Sequence, residues 1–200
     1  VVFKALKDLN VERIMGDFYP RPQRMLGMRE GGRWFPTVPG KATPKFKVLA
    51  GIEGLTDLTD TEKTNLRAKR GNTYELVTAG TAFFWEGTVF STSYNFLDVT
   101  RNADWSVDNL SKILLEIFVG NDIVPFTPLG ITMMEQGMTQ FGGLAEDQGV
   151  FAAGWVVEVP VFEDIELVDK TDRNLRSLKI SGVTQGAIHK AVPVDIVLSF

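Results

Sequence analysis

The chain has 200 residues, 44% hydrophobic and 23% charged, which is one ordinary domain or one with a small appendage, long enough to bury a sizeable core and too apolar to be disordered throughout. Its net charge of −4 argues against nucleic acid as the main partner, because neutralising phosphates requires a basic face. The absence of cysteine excludes thiol catalysis, disulfides and cysteine-ligated zinc, and it fits folding in a reducing cytosol.

The first residues, Val1 to Asp8, lack the make-up of a signal peptide, and the chain does not open on Met, so it reads as a fragment of a longer protein or a processed chain. Val2, Ala5, Leu6 and Leu9 recur at helical spacing, predicting a short amphipathic helix up to about Ile14. From Gly16 to Pro44 five prolines alternate with glycines, including Gly27, Gly31, Gly32 and Gly40, which predicts irregular backbone. A connection this long is unusual in a compact domain. It reads either as an interaction loop or as a meander packed by Phe18, Tyr19, Met25, Met28, Trp34 and Phe35. Residues 1–44 are therefore set apart as a segment from a preceding domain, and 45–200 as the core domain.

Lys45 to Leu49 alternates like a short strand. Thr59-Asp60-Thr61-Glu62 has the form of a capping box, predicting a helix over 60–70 closed by Gly71 in the left-handed conformation. Strands are expected over 73–77, 81–90 and 94–99. A helix capped by Asp104 or Ser106 should carry Trp105, Leu110, Ile113, Leu114, Ile117 and Phe118 on one face. Thr127-Pro128 opens the next helix, with proline where its missing N–H costs nothing, and Gly142-Gly143 should end it. Beyond it come a strand over 150–159, a polar stretch with one or two helical turns over 164–175 and a strand over 178–183. The last strand, 187–200, places Ile188, Val192, Val194, Ile196, Leu198 and Phe200 on one side. The fold class is α+β: a mixed or antiparallel sheet against two main helices, with a terminal extended strand.

Chemistry is hard to assemble from these residues. The sole histidine, His189, lies in the last strand, and neither a G-x-S-x-G elbow nor a phosphate-loop signature occurs. One histidine without cysteine does not build a zinc site of the usual kind. Glu163, Asp164, Glu166, Asp169 and Asp172 could serve a carboxylate-dependent hydrolase or calcium, but Lys170 and Arg173 interleave them and no EF-hand pattern is present. They read first as a solvated polar surface. Met133, Met134 and Met138 sit at core spacing. No catalytic, cofactor-binding or metal site is assigned, and no apolar run reaches the roughly 18–20 residues of a membrane helix. The terminal strand has two readings: an internal strand of this chain's own sheet, or a strand donated to another subunit's sheet edge, where main-chain hydrogen bonds supply affinity.

Several stretches resemble one family in order and spacing. Pro39-Gly40, Phe46 to Gly51 and Leu58-Thr59 come first, then Asn102-Ala103-Asp104-Trp105 and Ile123-Val124-Pro125-Phe126-Thr127-Pro128-Leu129-Gly130-Ile131. Val159-Pro160, Asp169-Lys170 and Gly186-Ala187-Ile188-His189-Lys190 complete the series. Over residues 39–200 this is similar to the C-terminal part of contractile bacteriophage tail sheath proteins, whereas the aromatic stretch 16–37 departs from that pattern. The resemblance implies a structural subunit rather than an enzyme. It would polymerise helically around a tail tube and contract to drive the tube through the host envelope. It implies neighbouring sheath subunits, the tube protein and the baseplate as partners, no nucleic acid and no membrane insertion. It places the chain in the virion tail, assembled in the host cytoplasm. Residues 187–200 would be the C-terminal arm strand, and the polar segment holding Asp164, Glu166, Asp169, Lys170, Asp172 and Arg173 would lie near the tube. A baseplate or secretion-system sheath component of another contractile machine is the alternative.

Overall fold

A computed structural model describes residues 2–11, 13–21, 24–77 and 80–190. By contact these fall into two units: 2–36 with 43–97 and 186–190, and 37–42 with 98–185. The division is thus not at residue 44. Residues 2–36 belong to the same unit as residues 43–97, and Thr37–Ala42 belongs to the second unit. There Arg101 donates to the Thr37 carbonyl at 2.6 Å, Gln148 to the Pro39 carbonyl at 3.1 Å, and the Gly40 N–H to Asn102 Oδ1 at 2.9 Å.

The first unit is built on a three-stranded sheet in the order β1 (Gly16–Phe18), β2 (Gly71–Leu76), β3 (Ala82–Trp85), parallel between β1 and β2 and antiparallel between β2 and β3. Its helices are α1 (Val2–Asp8), α2 (Leu26–Trp34) and α3 (Asp60–Ala68). Leu26, Leu49, Ile52, Tyr74 and Phe84 form its core, and the Tyr74 hydroxyl, accepting from Leu49 N–H at 3.0 Å and donating to Ala82 O at 3.0 Å, ties the 45–52 segment to the sheet. Buried Asn72 donates to Gly16 O at 3.1 Å and Thr88 O at 2.9 Å, and accepts from Thr88 N–H at 2.8 Å. One side chain thus satisfies backbone groups that would otherwise be buried without partners.

The second unit holds α4 (Leu97–Gly120), whose first residue closes the first unit, and α5 (Pro128–Gln148). After α5 comes the two-stranded antiparallel sheet of β4 (Val156–Glu158) and β5 (Lys179–Ser181), with a 3-10 turn (Phe162–Asp164) and α6 (Leu167–Thr171) between its strands. Phe141, Ala145 and Val150 form the core of this unit, lined by Trp105, Leu110, Ile113, Phe151 and Ile180. The mixed α+β class stands, with its strands in two small sheets.

Several elements differ from the sequence expectation for identifiable reasons. The first helix stops at Asp8. Residues 26–34, expected to be irregular, are helical because Leu26, Glu30, Gly31 and Trp34 turn inward together. Phe46 adopts φ 64° and breaks the 45–49 strand, although Phe46 N–H still donates to Phe84 O at 2.9 Å. Arg70, not Gly71, takes the left-handed turn after α3; its guanidinium is held by the carbonyls of Val89 and Ser91 and by Asn95, and Gly71 already belongs to β2. The 94–99 strand reduces to a bridge between Thr88 and Phe96, and α4 starts at Leu97, well before Asp104. Its first turns bury Asp98, Thr100 and Asn102, so no apolar stripe announces them. Gly142-Gly143 does not end α5: the Trp155 ring lies where a Cβ on Gly142 would be, and the helix runs to Gly149 at φ 80°. Gly154, at φ 96°, interrupts the expected 150–159 strand, splitting it into a bridge between Phe151 and Thr184 and the paired strand Val156–Glu158.

The expected last strand is corrected where it is described. Ala187 to Lys190 have no strand pairing, and Ile188 is exposed. His189 Nε2 lies 3.1 Å from Thr43 Oγ1, and its ring meets Phe96 edge-on at 4.6 Å, so the side chain anchors this stretch to the first unit. Val192, Val194, Ile196, Leu198 and Phe200 lie outside the described residues.

Candidate assembly site

The polar segment expected near a tube folds as the 3-10 turn and α6, both in the second unit. Its charged residues do not converge. Asp169 pairs with Arg176 at 3.0 Å, which orders the chain after α6, and the Lys170 ammonium sits 4.4 Å from the centroid of the Phe162 ring. Asp164, Glu166, Asp172 and Arg173 are exposed. Among the described residues, no group of three or more His, Cys, Asp or Glu could hold a metal ion, and no helix is long and apolar enough to cross a membrane. On the same segment Leu167 and Val168 stand 78% and 63% exposed, a costly arrangement for apolar side chains unless another surface covers them.

Next to α6 the second unit opens into a groove of about 710 Å³. It is lined by Leu114 and Phe118 of α4, by the loop 123–126 with Ile131 and Met134 of α5, and by Lys170, Arg173 and Leu178 from the stretch around and after α6. Pro125 packs so closely on Gly130 that its carbonyl occupies the space a Cβ there would need, which fixes the loop against α5. Helical spacing puts Leu114 and Phe118 on a core-facing stripe, but Phe118 is 57% exposed and Ile123 74%. The apolar run Ile123-Val124-Pro125-Phe126, too short for an element and too apolar for an ordinary loop, is the one signal in the sequence for this groove.

The β4–β5 sheet has only two strands, paired Val156 to Ser181, Val157 to Ile180 and Glu158 to Lys179, with a 3.0 Å Lys179–Glu158 ion pair across them. Among the described residues each strand therefore has an outer edge without a partner strand. Such edges invite pairing with another chain.

One further pair of acids gives no sign of itself in the sequence. Asp17 of β1 and Glu30 of α2 each bury an oxygen without a hydrogen-bond partner. Burial pushes both carboxyls up to about 7, and the Asp17 charge adds to the effect on Glu30. Raised carboxyls mark many catalytic sites, but Glu30 is only 2% exposed, so no substrate reaches it as the unit stands.

No family model and no curated protein matches the sequence. Solved structures do match. A chain of the cryo-EM structure of the anti-feeding prophage baseplate superposes with TM-score 0.66 at 12% identity, over 86% of this chain and 48% of that one. A chain of the helical sheath of the same particle in its contracted state gives TM-score 0.63 at 14% identity, over 90% of this chain and 50% of that one. The PVC sheath complex of an extracellular contractile injection system, also contracted, gives 0.61 at 10% identity, over 78% and 45%. The chain has the fold of a contractile-injection sheath protein. It spans about half the length of the solved chains it matches. Within this sheath fold the polar segment, the apolar groove and the two-stranded sheet all lie in the second unit.

Proposed function

We propose that the chain is part of a structural subunit of a contractile sheath, which polymerises helically around an inner tube and contracts to drive that tube through a target envelope. The single observation that carries this reading is the sheath fold over 90% of the chain. The chemistry of the surface supports it: the charged residues of the polar segment are dispersed, Leu167 and Val168 stand exposed on α6, and among the described residues the two-stranded sheet has edges without a partner strand. Residues 187–200 pair across chains with a neighbouring subunit, carrying Ile188, Val192, Val194, Ile196, Leu198 and Phe200. Head-to-tail contacts of this kind generate open helical assemblies. Asp164, Glu166 and Asp172, on the exposed side of the polar segment, face the inner tube. The work of contraction comes from two packings of the same subunits rather than from a hydrolysed cofactor.

A phage tail sheath, assembled in the host cytoplasm and carried in the virion with tube and baseplate as partners, is the first form of this reading. The likeness to anti-feeding prophage and PVC chains favours a second form, a sheath or baseplate component of another injection machine. Electron microscopy of the full-length protein co-expressed with its tube partner tests both. Sheathed tubes are expected, and deletion of residues 187–200 should leave only small oligomers. A full-length protein that stays monomeric at high concentration with tube present rules the proposal out.

A further inference from the structure

The helix α2 is weak by itself and depends on what it buries. It has nine residues, Met25 at its start takes φ 51° and lends no side-chain cap, and Gly27, Gly31 and Gly32 lower its helical propensity. An isolated helix of this length is marginal in water. One face holds it in place, with Leu26, Glu30, Gly31 and Trp34 buried together. That face carries a carboxyl, and a second carboxyl faces it from the sheet. Asp17 Oδ2 of β1 lies 3.1 Å from where a Cβ on Gly27 would stand, and Glu30 follows Gly27 by one turn on the same side of the helix.

Asp17 Oδ1 and Glu30 Oε1 are both buried without a hydrogen-bond partner, and the charge of Asp17 acts on Glu30. Among the described residues no cation pairs with either carboxyl. The charged groups of the surrounding elements are committed elsewhere. On α2, Arg29 donates to Arg24 O at 3.1 Å and to Ala50 O at 2.7 Å. Arg21 and Arg24 both pair with Glu53, and on α1 Lys4 pairs with Asp8 while Lys7 donates to Ala68 O. Arg13 and Arg33 are exposed. On β2, uncharged Asn72 stands opposite Asp17, its amide engaged by Gly16 O and Thr88 O, and the Tyr74 hydroxyl is engaged by Leu49 and Ala82. Two like charges without partners in such a place are strongly unfavourable.

We infer that Asp17 and Glu30 form a proton-operated latch: protonated, they hold α2 on β1, and ionised, they release it. A proton on either carboxyl removes the repulsion and supplies the donor that the buried oxygens lack. Burial holds both groups near neutrality instead of the usual acid range, so the latch works close to neutral pH. Release uncovers Leu26 and Trp34 and gives the first unit a second packing. The latch acts within one subunit and stands whether or not the chain polymerises.

Native-state hydrogen exchange of the full-length protein at about pH 5 and about pH 8, expressed as protection relative to the unfolded-chain rate, tests this. Peptides covering residues 26–34 should lose protection by roughly tenfold or more at the higher pH, while peptides covering 71–76 and 82–85 keep theirs. Glu30→Gln and, separately, Asp17→Asn should each retain most of the protection of 26–34 at the higher pH. Protection of 26–34 that does not change with pH in the natural protein overturns the latch, and that measurement needs no variant. A loss shared equally by β2 and β3 also overturns it, because the whole unit would then be opening. So does a loss that persists undiminished in both variants, which would place the titrating group elsewhere.

Discussion

Asp17 and Glu30 are two carboxyls that burial holds well above their ordinary range. Their ordinary values of 3.8 and 4.5 are raised to about 7 by burial, the Asp17 charge contributing further at Glu30. A carboxyl whose folded pKa exceeds its unfolded one favours the fold fully below the unfolded value. That advantage is lost as pH rises through the folded value, because the unfolded chain then ionises more readily. Stability should therefore fall from about pH 4 to about pH 7, by on the order of several kcal/mol for the pair, since each unit of displacement corresponds to about 1.4 kcal/mol per group. Thermal melts across this window check it. Glu30→Gln, which keeps the shape and removes the charge, should flatten the decline and melt above the natural protein at pH 8. Parallel melting curves for the two proteins would mean that these carboxyls ionise as they do in water.

At the scale of elements, α3 is the clearest case of local sequence setting a boundary. Thr59 N–H donates to Glu62 Oε2 at 2.9 Å and Glu62 N–H to Thr59 Oγ1 at 3.3 Å, and the Thr59 backbone bond holds the Glu62 carboxyl below its usual range. Thr59→Ala should cost about 0.5–2 kcal/mol in denaturant unfolding, and Thr59→Ser should recover most of it. In α5, Gly142→Ala is expected to destabilise more than Gly143→Ala, because only the former meets the Trp155 ring while Gly143 faces open space. Equal effects would show that helix propensity alone is at work, since that favours alanine at both positions. The same contrast explains what was legible. The capping box, Thr127-Pro128 and the two long helices are written in neighbouring residues, and the strands near 71–76, 82–85 and 179–181 in alternation. The start of α4 and the helix at 26–34 are fixed instead by long-range burial of Asp98, Asn102, Leu26 and Trp34, which no local period displays. The end of α5 was misplaced because Gly142 serves a close approach rather than a turn. Of the candidate site, the polar segment was legible as a stretch. The groove was not, because its walls come from three places in the chain and its apolar residues resemble core on periodicity alone.

For the whole molecule, the open edges of β4 and β5 set the decisive comparison between an isolated subunit and an assembled one. Two strands alone are marginal in water, and amide protection reports the free energy of local opening. If assembly adds a strand or a seated segment beside them, peptides spanning residues 155–159 and 178–182 should exchange hydrogen roughly tenfold more slowly, or slower still, in the polymer than in the free subunit. Peptides from the buried core around Phe141 should change little, because they are protected in both states. Removing residues 187–200 should abolish the difference at the sheet. Protection that rises uniformly across the chain would indicate general tightening instead. Protection at the sheet that never changes would mean the β4–β5 edges remain open in the polymer and that subunits are joined elsewhere.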